Sequence, residues 1–407
     1  MRISTGPVGA PRGGHGRAKV LTAVALGALL AARPAGGRAA DAEGQDDGGL
    51  GSHLGLPRWL SPTVRYLAEA WGVLAGGRAR GGTASGLLSL GAEVDLDRAG
   101  VLSRASLGVR WVAPHGGNIS ATVGDIGIVS NIAGVPAFRL MKAWVTQGVG
   151  DHLAFTAGIL ALDETFMVIE PALLFVNSGF GTPQTEALNT PAPIYPMGSL
   201  GAFGVWSPSE RVDLRIGLYD GDAGASADHR FVGSLGVDAD GGALLLVEVH
   251  LRPLGRQWGL SLGGFGHTGV LGPRAGRGLA SGWVSVEGRL LELGGGTLEG
   301  FLRGAFALPE VDAVALAQLD GGLVWSPAVW GRPQDRLGVG VVSVARSSAT
   351  LPVGRPPLET VFELTFRWQV IPSLFVQPDL QIVVEPAQAP DAGPAAVFGL
   401  RVGLEGG

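Results

Sequence analysis

Residues 259–269 hold the two stretches of the chain whose spacing could do chemistry. Gly264-Phe265-Gly266-His267-Thr268-Gly269 has the glycine spacing of a dinucleotide-binding loop, and Gly259-Leu260-Ser261-Leu262-Gly263 has that of a loop presenting a nucleophilic serine. The first chemistry needs a strand before it, a helix after it and an acid further on; the second needs a sharp strand-to-helix turn. Neither context is present, because both patterns share one glycine-rich alternating segment that no amphipathic helix follows. With 69 glycines in 407 residues, a three-glycine pattern arises by chance about twice in such a chain. The seven histidines, His15, His53, His115, His152, His229, His250 and His267, are scattered, and there is no cysteine to join them in a metal site. Asp220-Gly221-Asp222 and Asp238-Ala239-Asp240-Gly241 lack the terminal glutamate of a calcium loop and read as turns. Asn118-Ile119-Ser120 fits a glycosylation acceptor, which is moot on a strand of a bacterial-type exported protein. No constellation supports an enzyme, and no cofactor or metal is expected.

The elements that carry these residues follow from composition. Hydrophobic residues make up 46% of the chain and charged residues 16%, with a mean hydropathy of +0.30. This excludes disorder, the irregular glycine spacing excludes collagen, and the lack of cysteine excludes a disulfide scaffold. No apolar run reaches the ~18 residues of a membrane helix, so the apolar surplus sits in short segments. A net charge of -5, with Lys19 and Lys142 the only lysines, argues against a nucleic-acid partner.

Arg12, Arg17 and Lys19 precede the uncharged stretch 20–32, and Ala40-Asp41-Ala42 offers a small-residue cleavage site, with Gly37-Arg38-Ala39 as a rival. Residues 1–42 therefore read as a secretory signal peptide, and residues 43–84 as a linker or short periplasmic segment.

From residue 85 to 407 the dominant period is two. Leu88, Leu90, Ala92 and Val94 alternate with Ser89, Gly91, Glu93 and Asp95; Val212, Leu214, Ile216 and Leu218 alternate with Arg211, Asp213, Arg215 and Gly217. Phe362, Leu364, Phe366, Trp368 and Val370 alternate with Glu363, Thr365, Arg367 and Gln369, and the last strand sets Phe398, Leu400, Val402 and Leu404 against Gly399, Arg401 and Gly403. Short turns such as Asp220-Gly221-Asp222 and Ile371-Pro372-Ser373 imply antiparallel hairpins. A soluble sandwich and a membrane barrel share this alternation. Strand length, glycine on the polar face and the export signal favour an all-β transmembrane antiparallel β-barrel, and about sixteen or seventeen candidate strands with an even-number rule give sixteen. Trp111, Trp206, Trp258, Trp325 and Trp368 fall near strand ends, where an interfacial girdle would place them.

Several segments carry a family resemblance. Residues 175–183 (FVNSGFGTP), 192–198 (APIYPMG), 204–209 (GVWSPS) and 214–222 (LRIGLYDGD) resemble the carbohydrate-selective porins of the OprB family. Residues 142–147 and 157–163 are similar to its tandem upstream strands, and 359–366 (ETVFELTF) and 376–381 (VQPDLQ) to strands near its end. The resemblance implies a sixteen-stranded barrel in the bacterial outer membrane through which sugars diffuse passively. Its partners would be carbohydrates as solutes, outer-membrane lipid, and further copies of the chain if it forms a homo-oligomer.

A sugar channel requires hydrogen-bond donors, acceptors and aromatic faces at a constriction, with binding weak enough for release. The polar-face candidates are Glu93, Asp95, Arg104, Arg110, Arg211, Asp213, Arg215, Glu287, Arg289, Glu363, Arg367, Asp379 and Arg401, with Tyr219 and Trp283 as stacking groups. Residues 164–195, rich in Pro and Asn, are the candidate for a loop folded inward to narrow the pore. A general or differently selective channel, and an exported soluble carbohydrate-binding β-protein, remain as alternative readings. The alternation predicts that Leu364→Arg blocks stable barrel assembly while Thr365→Arg is tolerated, as read by heat-modifiable mobility on gels; equal tolerance would overturn the facing.

Overall fold

The two-residue period becomes sixteen antiparallel strands closed on themselves, the first paired with the last. The computed structural model describes residues 50–224, 228–233, 235, 241–271, 276–293, 295–308, 313–326, 332, 334–347 and 357–406. The expected signal peptide, residues 1–42, and the first residues of the expected linker lie outside the described residues. The strands are β1 (Leu60–Ala75), β2 (Gly81–Asp95), β3 (Ala105–Gly116), β4 (Arg139–Val149), β5 (Leu153–Leu160), β6 (Ser199–Ser209), β7 (Val212–Asp220) and β8 (Ala243–Leu251). They continue with β9 (Trp258–Leu271), β10 (Gly276–Leu293), β11 (Gly296–Leu308), β12 (Ala315–Ser326), β13 (Arg336–Arg346), β14 (Leu358–Ile371), β15 (Leu374–Val384) and β16 (Ala395–Gly406). β1 and β16 join in register from Val64↔Gly406 to Val73↔Val397, so neither keeps the open edge that lipid would penalise. Among the described residues no helix is long and apolar enough to cross a membrane.

The barrel begins at Leu60 rather than at residue 85. Residues 60–75 form β1 and residues 81–84 open β2, in place of the linker or periplasmic segment. The period is muted there because β1 turns Leu67, Trp71 and Val73 inward, all buried, while its outer face carries the small Ala68, Ala70 and Gly72. With Leu67, Trp71 and Val73 interleaved with Arg65 and Glu69 on the inner face and small residues on the outer, the alternation is weak.

The outer wall is apolar. Ile216, Leu218, Leu245, Val247, Leu262, Leu302, Leu319, Phe362, Leu364 and Phe398 are exposed on it. Trp206, Trp258, Trp325 and Trp368 lie within three residues of strand ends at the rim that carries turns such as 150–152, 210–211 and 372–373, whereas Trp111 sits in mid-strand. The opposite rim carries the long connections 117–138, 161–198 and 221–242. Short turns mark the periplasmic rim of such barrels.

The inner wall is not uniformly wet. Toward the long-loop rim it carries Leu244, Leu246, Phe265 and Trp283, packed against Leu162, Phe166 and Met167 of the 161–198 connection. Phe301, Val324, Val342 and Val344 likewise pack on Ile169, Leu174, Phe175 and Phe180. Ile119, Val123 and Val129 of the 117–138 connection pack on Trp71, Val73 and Val361, so two connections fold into the barrel and give part of its lumen a hydrophobic core. Glycine makes room for the flattened aromatic rings: a Cβ at Gly263 would stand 2.2 Å from the Trp283 indole, and one at Gly403 2.0 Å from the Phe375 ring, each glycine being the cross-strand partner of its aromatic.

One seam has an unusual closure. β4 and β5 pair from Val149↔Leu153 to Ala143↔Ile159, and after Leu160 the chain leaves the wall to enter the lumen. The stranded edge of β4 is covered by the 221–242 connection: Leu140 N–H donates to Phe231 O at 2.7 Å, Leu140 bridges Val232 in parallel, and Arg139 Nε donates to His229 O at 3.0 Å.

The facing of β14 agrees with the alternation, since Leu364 is 46% exposed and Thr365 0% exposed. The tolerance expected of Thr365→Arg needs correction, because Thr365 is sealed beneath the inward chain and its Oγ1 accepts from Gln377 Nε2 at 2.9 Å. An arginine there would overpack the filled lumen. Glu93, on the inner side of β2 and exposed, is the suitable control. Leu364→Arg is expected to cost about 2–4 kcal/mol of barrel stability in bilayer refolding, and Glu93→Arg under about 0.5 kcal/mol; equal costs would invalidate the assigned face.

Candidate pore constriction

The inward connections carry backbone N–H and C=O groups away from water, and the wall supplies their partners. On the 161–198 connection, Met167 N–H donates to Glu248 at 2.8 Å, Glu170 N–H to Glu287 at 2.8 Å, and Val176 and Asn177 N–H to Glu363 at 2.6 and 2.9 Å. Gln184 N–H donates to Gln318 at 2.7 Å. On the 117–138 connection, Ile126 and Gly127 N–H both donate to Glu359, the latter at 2.8 Å. The carbonyls are met too: Arg215 reaches Thr165 O, Gln377 reaches Leu174 O, and Gln381 reaches Val129 O. The fully buried pair Arg303–Asp320, at 3.0 Å, lends its guanidinium to Met167 O and Gly179 O.

Most lumen acids and amides are therefore committed to holding chain, which reassigns many of the expected pore-lining residues. Glu287 and Glu363 accept loop N–H groups. Asp379 lies beside Gln381, which donates to it at 2.9 Å. Asp213 is engaged by Ser207 and Arg252, and Arg215 by Glu248 at 2.7 Å. Arg401 pairs with Glu69 and with Asn131 of the first inward loop. Tyr219 and Trp283 are 1% and 2% exposed, closed over by the inward loop, so neither offers a face to a sugar. Arg104 and Arg211 lie in short turns rather than on the wall, Arg104 bonding Asp151 at 2.8 Å across the rim. Asp95 pairs with Arg98 of the adjoining turn, Arg289 pairs with the exposed Glu292, and Glu93 stands open near the short-turn mouth. Ser261 Oγ does lie 2.8 Å from His250 Nδ1, but inside the continuous strands β8 and β9, without the turn that nucleophile presentation requires.

What remains open to the channel is a smaller set. Arg110 of β3 and Lys142 of β4 converge on Glu164, which stands in the short 3-10 turn Leu162–Glu164 where the 161–198 loop begins. Lys142 Nζ lies 2.5 Å from Glu164, and Arg110 bonds the same carboxylate. All three side chains keep partial exposure. Burial pushes the Glu164 carboxyl up, but Lys142 and Arg110 outweigh it and hold the group below its ordinary value. Neighbouring Asp163 has no such pair, and burial together with the charge of Glu164 raises it to about 6. Trp144 sits beside the cluster, its indole laid over Gly108 and the Lys142 ammonium 4.8 Å from its centroid. Leu173, at 60% exposure, and Glu170 stand at the loop tip. Beyond them Arg336 and Glu299 pair at 3.8 Å, while Arg65 and Arg367 share Glu405 at 2.9 Å each. Arg367 also covers the Phe375 ring at 3.7 Å.

Sequence reasoning marked the loop and Arg110, but not Lys142, Glu164 or Trp144 as a cluster. Their signal is present: Lys142 and Trp144 alternate on β4, and Arg110 is the cross-strand partner of Lys142. Glu164 lies far from both in sequence.

A family model described as carbohydrate-selective porin, OprB family, matches residues 79–272 and 266–405. Among solved structures, the high-pH structure of Pseudomonas putida OprB aligns with a TM-score of 0.73 at 19% identity, covering 85% of this chain and 94% of that one. The low-pH structure of the same protein aligns at 0.56 and 17% identity, covering 85% and 92%. A mutant of the Rh. blastica porin aligns at 0.52 and 11% identity, covering 85% and 99%. No curated protein matches the chain.

The inward loop carries one acid whose titration can be read by itself. Glu186, 1% exposed, is raised to about 7 by burial, partly offset by the Ser281 and Thr185 hydroxyls and by Arg303. The folded chain holds this proton up to about pH 7, whereas the unfolded chain releases it near its ordinary 4.5. Stability should thus fall as pH rises between these values and level off above them, by up to about 3 kcal/mol. Glu186→Gln is expected to reduce that slope in urea unfolding between pH 5 and 8, leaving the part contributed by Asp163; an unchanged slope would assign it to other groups.

Proposed function

Because the chain belongs to the carbohydrate-selective porin family OprB, we propose that sugars pass it at the neck bounded by Arg110, Lys142, Glu164 and Trp144. The protein is an outer-membrane β-barrel channel for passive, sugar-selective diffusion. The observation that supports this neck is the division of labour in the lumen: Glu248, Glu287, Glu359 and Glu363 are spent on loop backbone, whereas Glu164, at the root of the inward loop, is shared by two cations that remain partly open.

Such a site suits a neutral polyol. Arg110 and Lys142 present donors, Glu164 presents acceptor oxygens, and a sugar can exchange each contact for one of its own hydroxyls without leaving a charge unpaired. The partly buried Trp144 indole, over which the Lys142 ammonium lies, offers apolar surface to the C–H groups of a pyranose once Lys142 turns to a sugar hydroxyl. Because Glu164 offsets one of the two cations and the solute is uncharged, net binding stays weak and release stays fast. The Leu173 side chain at the loop tip adds an apolar edge on the way past. No catalytic group is required. One chain closes one barrel around one neck, so lipid surrounds the outer wall and self-association would multiply channels without altering the neck.

Planar-bilayer conductance of the detergent-purified protein tests this reading. Ion current should appear, millimolar monosaccharide should block it where linear polyols do not, and the double change Arg110→Ala with Lys142→Ala should raise the half-blocking concentration about tenfold, or about 1.4 kcal/mol. Sugar-insensitive current would identify a general channel. Absence of insertion would restore the soluble carbohydrate-binding reading.

A further inference from the structure

The two inward loops are bonded to one another as well as to the wall. Asn131 N–H donates to Val176 O at 2.8 Å and Ser178 N–H to Ile128 O at 2.9 Å, which makes residues 128–131 and 176–178 a short antiparallel ribbon inside the barrel. Ser178 Oγ to Gly127 O, at 2.8 Å, and Asn131 Nδ2 to Phe175 O, at 3.2 Å, reinforce it. The ribbon rests on β14 and β15. Glu363 takes both Val176 and Asn177 N–H. Gln381 donates to Val129 O of one loop and accepts from Asn177 Nδ2 of the other, at 2.9 and 3.0 Å. Gln377 holds Leu174 O.

We infer that Glu363 and Gln381 are positioning residues, a latch on β14–β15 that holds both loops as one body and thereby sets the width of a neck they do not themselves line. The 161–198 loop connects the two places: it begins at Glu164 against β3 and β4, carries Glu170 and Leu173 at its tip, and reaches the latch at Val176 and Asn177. Met167 and Glu170 are held on the near side of the tip by Glu248 and Glu287, and the latch anchors the chain beyond it, so its loss lets the tip move more widely across the pore. Glu363 suits the role because a carboxyl group offers two oxygens, one to each of two adjacent N–H groups, and Gln381 because an amide both donates and accepts, as a junction between two loops requires.

The inference rests on the pore passing the proposed neck, and ion conductance tests it apart from sugar recognition. Glu363→Ala, reconstituted in planar bilayers, is expected to show single-channel conductance about twofold higher, with strong open-channel flicker from loop motion. The rescue is a disulfide. A Cβ at Gly179 would lie 2.9 Å from Val342 Cγ1, within reach of cross-linking geometry, and the chain has no cysteine of its own. Gly179→Cys with Val342→Cys, oxidised, should return the Glu363→Ala channel to quiet, wild-type conductance, and reductant should release it again. If Glu363→Ala does not fold, Gln381→Ala, which loosens both loops at once, carries the same expectation. Arg110→Ala, by contrast, should change sugar block without flicker. A folded latch variant with wild-type conductance and noise, or a flicker that the disulfide leaves untouched, would overturn the latch while leaving the sugar neck standing.

Discussion

The interior of this barrel is governed by the need of buried backbone for partners. A connection that enters the lumen brings its N–H and C=O groups out of water, and each one left unpaired costs about 1–3 kcal/mol. Inward-facing Glu248, Glu287, Glu359, Glu363, Gln318, Gln377 and Gln381 answer that need. Once they are committed, the position of the loops, the hydrophobic packing behind them and the composition of the channel lining all follow. The acids of the lumen are in the first instance structural groups, and the solute meets what is left over.

That division explains why so few polar residues define the neck. A carboxyl group that accepts loop N–H groups and lies buried beneath that loop, as Glu248, Glu359 and Glu363 do, is closed to a sugar. Glu164 differs because its partners are the flexible side chains Arg110 and Lys142 rather than fixed backbone, so its bonds can be exchanged. The Arg65–Glu405–Arg367 chain further along has the same character. Each cluster sets two cations on one carboxylate, which gives a surface of donors with shared acceptor oxygens, suited to hydroxyl-rich solutes.

The barrel itself was legible in the sequence. Period-two alternation in residues such as Phe362–Val370 needs nothing but a lipid face and a wall, and both are local. Legibility failed where the inner face carried large apolar residues: β1, with Leu67, Trp71 and Val73 turned inward, fell in a segment without clear alternation, and the run Leu244 to Val247 is apolar on both faces. These positions pack on loops distant in sequence, and no local pattern encodes such packing. The same reason dispersed the expected site. Glu363 and Asp379 look like pore residues because they are polar and inward, and only the arrival of Val176 and Asn177 above them changes their role. Tyr219 and Trp283 were taken by Phe166 and Met167 in the same way. Arg110, facing the start of the loop rather than its packed middle, kept the place its alternation indicates.

The seam between β4 and β5 has a consequence for how such a molecule comes into being. Elsewhere the wall is closed by strands pairing with strands, β1 meeting β16 included. Here the upper edge of β4 waits for Phe231 and Val232, which belong to the far side of β7. The wall cannot be sealed in chain order, and a half-built cylinder containing β4 through β7 would still leak at this point. Insertion of the lumen-filling chain and completion of the wall are therefore a single event in assembly, with the 221–242 connection as the stitch that ends it.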